Sequence, residues 1–213
     1  LIDYFLNSCS SQEERKIGAE FESLGVFYSS GKAIPYRGKR GVNRVLSHLN
    51  QKFEWESKRE DGKLIALFRN NSSITLEPGS QMELSSSILD NIHQIKREWE
   101  GFMGEIKSFS EPFDIKWLGL GVQPVSRLED IEWVQKHRYR LMVPYMAKHG
   151  ELSHHMMKKT ASIQTSVDYS DEDDFIGKMC TALYLAPIIT AIFANSPISE
   201  GKINGFLSER AHI

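Results

Sequence analysis

Across residues 74–88, polar and apolar side chains change places residue by residue: Glu77, Gln81, Glu83 and Ser85 hold odd positions, while Leu76, Met82 and Leu84 hold even ones. An extended chain sends successive side chains to opposite faces, so the spacing predicts a strand with carboxylates on one face and apolar groups on the other. Residues 16–22 repeat the pattern, with Ile17, Ala19 and Phe21 alternating with Glu20 and Glu22. Two such strands would bring four carboxylates to a shared surface. Close carboxylates repel one another unless protons or cations intervene, which makes that surface a candidate for a hard divalent ion such as Mg2+.

Elsewhere the pattern changes period. Val42, Val45, Leu46 and Leu49 recur as one helical face, which predicts a helix lying across a sheet. Strand-like segments at 52–58, 64–69 and 73–77 are separated by turn chemistry at 60–62 and at Asn70 and Asn71, which argues for antiparallel hairpins. From 86 to 107 the stripe Ile88, Leu89, Ile92, Ile95, Trp99, Phe102 and Ile106 predicts a core-packing helix. Residues 114–124 read as a strand whose glycines permit close backbone approach, without the third glycine of a dinucleotide fingerprint. Residues 138–149 read as a helix despite Pro144, with Tyr145 and Met146 turned inward. Residues 162–169 alternate again and predict a further strand with Gln164 on its polar face. The acids at 171–174 suit the positive end of the apolar helix expected over 175–194. At 16 residues, the apolar run 179–194 is short of the roughly 20 that a membrane span needs, so a buried helix and no membrane are expected.

With 213 residues, 40% of them hydrophobic, the chain can bury a sizeable core in one domain or a tightly joined pair. A net charge of −2 leaves no basic footprint for a phosphate backbone, so nucleic acid is not an expected partner. Cys9 and Cys180 are too few for a disulfide framework, and the start of the chain is an amphipathic segment with no basic region of a signal peptide, so a reducing, cytoplasmic setting is expected. His149, His154 and His155 are read as solvent-facing or packing residues rather than metal ligands.

Taken together, five motifs point to a family. They are GAEFE at 18–22, ITLEPGSQMELS at 74–85, LGLGVQP at 118–124, RYRLM at 138–142 with YM at 145–146, and FANSP at 193–197 with GKINGFL at 201–207. In this order the chain resembles the plant and proteobacterial type of glutamate–cysteine ligase from about Lys16 to Ile213. The resemblance implies an α+β fold like that of glutamine synthetase, a curved antiparallel sheet with helices on its outer face, and it implies that 1–213 is the N-terminal portion of a catalytic domain, incomplete at its C-terminus. It implies ATP-dependent ligation of L-glutamate to L-cysteine with Mg2+, the first step towards glutathione. By motif match it assigns metal roles to Glu20, Glu22, Glu77 and Glu83, a nucleotide or cofactor contact to Gln164, and substrate-binding catalytic roles to Arg138 and Arg210. Guanidinium forks suit the carboxylate of glutamate.

Departures from the family pattern accompany the match. Phe21 and Ser23 stand where the family has basic residues around the first carboxylate pair, Ser80 and Met82 alter the acidic motif, and His137 replaces a glycine before Arg138. Two further expectations follow: completion by a missing C-terminal half or by a homo-oligomer, and, as the alternative, a non-catalytic module that binds nucleotide or a partner while keeping the sheet.

Overall fold

The computed structural model describes residues 2–213. After a short helix α1 (Ile2–Leu6), the long strand β1 (Ile17–Phe27) leads through α2 (Val42–Lys52) to four strands, β2 (Glu56–Glu60), β3 (Lys63–Arg69), β4 (Ser72–Leu76) and β5 (Met82–Ser85). Then come α3 (Ile92–Ser110), β6 (Ile115–Leu118), α4 (His137–His149), α5 (Ser153–Lys159), β7 (Ile163–Val167) and α6 (Glu172–Ile192), with a small hairpin of β8 (Ile198–Ser199) and β9 (Lys202–Ile203) near the end. The main sheet runs β2-β3-β4-β5-β1-β6, with β7 also paired to β1. Every pairing between strands is antiparallel, so the architecture is α+β as expected.

The alternating stretch at 74–88 is two strands of a hairpin rather than one. Leu76 lies opposite Met82 and Thr75 opposite Glu83, so the odd positions of both strands share a face across the turn. The even positions, Ile74, Leu76, Met82 and Leu84, are buried in the core. At the turn, Gly79 passes so near the neighbouring backbone that a Cβ there would sit 2.1 Å from the Lys158 carbonyl oxygen.

Helix α2 buries the face its spacing predicts, Val42, Val45, Leu46 and Leu49. Helix α3 buries Ile95, Phe102 and Ile106, the last two in the same core as the α2 face, but begins later than the stripe suggests. Asn91 caps it by accepting from the His93 and Gln94 backbone N–H groups, which leaves Ile88 and Ile92 exposed. The strand expected over 114–124 ends at Leu118: Asn195 accepts from the Gly121 N–H and donates to the Gly119 carbonyl, and the chain pairs again only as an isolated antiparallel bridge between Val122 and Thr160. Of the two glycines only Gly121 is closely approached, by the Asn195 and Ser196 side chains.

Two inward placements are corrected. Tyr145 is exposed and stacks on His149, one turn further along α4, at a centroid distance of 4.1 Å, while Met146 does pack against the core. The apolar helix near the C-terminus, α6, has no buried residue. Asp171 caps its start and Lys178 bonds Asp174 and the Asp168 carbonyl, but between those fastenings and Asn195 no described element covers its apolar side chains. At 21 residues it is, among the described residues, the one helix long and apolar enough to cross a bilayer. Both faces of β7 are likewise exposed.

Candidate functional site

The register of β1 assembles the acidic face. Glu22 lies directly opposite Glu83 on β5, and Glu20 lies between Ser85 on one side and Gln164 of β7 on the other. Directly opposite residues share a face, so Glu20, Glu22, Glu83 and Gln164 all emerge from one side of the sheet, with Glu77 just past the end of β4. The apolar residues that alternate with them explain the orientation: turning the acids inward would expose Leu84, Ile74 and Met82, which are at most 1% exposed.

Beside this face lies a cleft of about 480 Å3. Glu22, Glu77, Gln164, Arg138 and Arg210 line it, so it unites residues from β1, the β4–β5 turn, β7, α4 and the C-terminal segment. Glu20 and Glu83 share the sheet face but stand outside the cleft walls. Arg138 reaches Glu77 at 3.4 Å and the Tyr139 hydroxyl at 2.9 Å. The loop carrying Arg210 is tied back through its backbone N–H, which donates to the Ser196 hydroxyl at 3.2 Å. Gln81 serves structure instead: its amide donates to the Met157 and Thr160 carbonyls and accepts from the Gly79 N–H, fastening the turn to the end of α5.

The carboxylates are held under electrostatic strain. Burial, and then the Glu77 charge, push the Glu22 carboxyl up to about 7, although the Ser162 N–H at 2.8 Å works the other way. Burial and then Glu83 raise both Glu77 and Glu20, and at Glu77 Arg138 and Lys136 partly counter this. Glu83 accepts from the Thr75 and Ser85 hydroxyls at 3.2 and 3.0 Å, which holds its carboxylate in place on the face. Carboxylates that raise one another's pKa favour a bound cation, which would discharge the repulsion.

The donor set fits Mg2+. All the groups are oxygen donors, and although no three His, Cys, Asp or Glu side chains among the described residues are drawn together as a cation shell, this ion commonly takes one or two carboxylates and completes its octahedron with water and phosphate oxygens. His149 and His154 each use a ring nitrogen on a backbone carbonyl, that of Tyr145 and that of Val143, and neither they nor His155 are among the residues that line the cleft. Cys9 and Cys180 are both free thiols.

Two residues of this site were not singled out by sequence reasoning. Lys136, 7% exposed, donates to the Leu76 carbonyl at 2.6 Å, and burial followed by the Arg138 charge lowers its ammonium to about 8. Tyr139, 2% exposed, donates its hydroxyl to the same carbonyl at 3.0 Å. Tyr139 falls within the RYRLM motif, which is the one signal that marked it; Lys136 precedes the helix and has no periodic partner.

An acidic sheet face beside a cleft that also carries two guanidinium groups has the chemistry to receive anionic ligands bridged by cations. The family model described as Glutamate-cysteine ligase family 2 (GCS2) matches residues 16–213, and the chain belongs to that family. It is 41% identical over 213 residues to the chloroplastic glutamate–cysteine ligase of Brassica juncea and 40% identical to that of Arabidopsis thaliana, all of this chain being covered in both. A similar match, 40% identity over the whole chain, is found with glutamate–cysteine ligase A of Oryza sativa subsp. japonica. The chain spans 41%, 40% and 43% of the length of these three relatives.

Proposed function

We propose that this chain carries the acidic face and part of the amino-acid pocket of a glutamate–cysteine ligase. The observation that carries the reading is that Glu22 and Glu77 meet Arg138 and Arg210 in one cleft of a chain belonging to this family. In the proposed reaction, a γ-carboxylate oxygen of glutamate attacks the terminal phosphorus of ATP and ADP leaves. The cysteine nitrogen then attacks the activated carbonyl carbon, the C–O bond to phosphate breaks, the amine gives up a proton and an amide remains. Phosphorylation is needed because a free carboxylate has no adequate leaving group. When bound, Mg2+ supplies charge screening between the nucleotide phosphates and the incoming carboxylate.

The chain's own residues divide the work. Glu22 and Glu77 would hold the cation from the cleft wall and Glu20 and Glu83 from the sheet beside it, while Gln164 would contact the nucleotide. Arg138 and Arg210 would clamp the α-carboxylate of glutamate, turning its γ-carboxylate towards the phosphate. The pairing of Arg138 with Glu77 supports this, since a ligand carboxylate arriving there would exchange one anionic partner for another.

The test is phosphate release from Mg-ATP with L-glutamate and L-cysteine supplied singly and together. Release that needs both is the expected result. ATP binding with no release when both are present would instead favour a nucleotide-binding module that keeps the sheet, a reading motivated by Phe21 and Ser23 beside the first carboxylate pair.

A further inference from the structure

The short stretch from which Glu77 projects is held at both flanking carbonyls, those of Leu76 and Pro78, by the segment that enters α4. Leu76 is the last residue of β4, and its carbonyl oxygen accepts two side-chain hydrogen bonds, from Lys136 Nζ at 2.6 Å and from Tyr139 Oη at 3.0 Å. The Glu77 N–H donates to the Gln81 carbonyl at 2.9 Å, and the Pro78 carbonyl accepts from the Val134 N–H at 2.8 Å. Each peptide group around Glu77 therefore has a fixed partner. Tyr139 also links this grip to the arginine of the cleft: its hydroxyl accepts from Arg138, whose guanidinium carbon lies 4.8 Å from the Tyr139 ring centroid.

Burying an ammonium is costly, and a neutral donor would suffice if the only need were to satisfy one carbonyl. Lys136 stands behind an acidic face, and Glu77 and Glu83 are among the charges that act on it. Its charge lowers the cost of crowding carboxylates on the other side, while its hydrogen bond sets the peptide plane from which one of them leaves.

We propose that Lys136 and Tyr139 are positioning residues for the cation-binding carboxylate Glu77, acting through their shared hydrogen-bond acceptor, the Leu76 carbonyl. The proposal rests on the carboxylate face being a divalent-cation site. Groups that orient a metal-binding side chain without touching the ion typically alter affinity by about tenfold to a hundredfold when removed. A grip serving only to anchor α4 would alter stability and leave cation affinity alone.

The experiment is a Mn2+ titration followed by electron paramagnetic resonance, alongside thermal melts, on the unaltered chain and on Tyr139→Phe, Lys136→Met and Lys136→Arg. Tyr139→Phe and Lys136→Met are expected to weaken Mn2+ binding by about tenfold or more, and Lys136→Arg to restore most of it because it returns both charge and donor. Arg140→Ala, which removes only the exposed pairing with Asp61, is the control and should bind as the unaltered chain does. Tyr139→Phe keeps the ring and decides the matter if Lys136→Met does not fold. A folded Tyr139→Phe binding Mn2+ within about twofold of the unaltered chain overturns the positioning role. Failure of the unaltered chain to bind Mn2+ overturns the cation site itself, and this role with it.

Discussion

Glu22 is a carboxylate whose titration is strongly tied to the fold. Its carboxyl ordinarily titrates near 4.5, but in the fold burial and the Glu77 and Glu83 charges push it up to about 7. The folded state therefore binds more protons than the unfolded chain between those values, so the contribution of Glu22 to stability is complete below about 4.5 and is lost as pH rises through about 7. After allowance for solvent screening of a partly exposed group, the effect is roughly 1–2 kcal/mol. Melting curves at several pH values should show the unaltered chain losing stability across this window more steeply than Glu22→Gln. Above pH 7, adding Mg2+ should recover stability in the unaltered chain more than in the variant. Equal slopes in the two proteins would mean that Glu22 is not the strained carboxylate.

Among the elements, α2 and α6 make opposite use of apolar sequence. The α2 spacing puts four side chains on one face, and all four are buried, with Leu46 fully enclosed. Helix α6 carries apolar residues around its circumference, the pattern of a helix meant to be covered on more than one side. None of its residues is buried; Leu183 and Ile189 are 68% and 46% exposed. Leu46→Ala should therefore cost about 2–5 kcal/mol in denaturant unfolding, whereas Ile189→Ala should stay within about 0.5 kcal/mol. A large loss from Ile189→Ala would show that another chain or segment closes over the helix. The contrast also explains why the buried placement expected for α6 failed: periodicity shows which side chains seek cover, and the cover itself must come from another element.

For the molecule as a whole, uncovered apolar surface is concentrated on α6, with further exposed groups at Ile163 and Val167 on β7. Contiguous apolar surface on a folded protein marks a place of contact. The chain should therefore raise the fluorescence of an apolar-surface dye, and Leu185→Lys with Ile189→Lys should reduce the signal without lowering the melting temperature. An unchanged signal in the double variant would place the dye-binding surface elsewhere.

Much of this organisation was legible in the chain alone. Alternation along β1 and the β4–β5 hairpin predicted which side chains share a face, because the pleat of a strand is a local property. The stripe on α2 and the acids that cap α6 were legible for the same reason, and the motifs carried the family. Tertiary structure alone decided that Glu22 and Glu77 enter the cleft while Glu20 and Glu83 remain beside it, that Arg138 and Arg210 meet there, and that Lys136 and Tyr139 converge on Leu76. Those outcomes depend on distances between segments far apart in the chain, and the forces involved, desolvation and charge repulsion, take their size from that separation rather than from residue order.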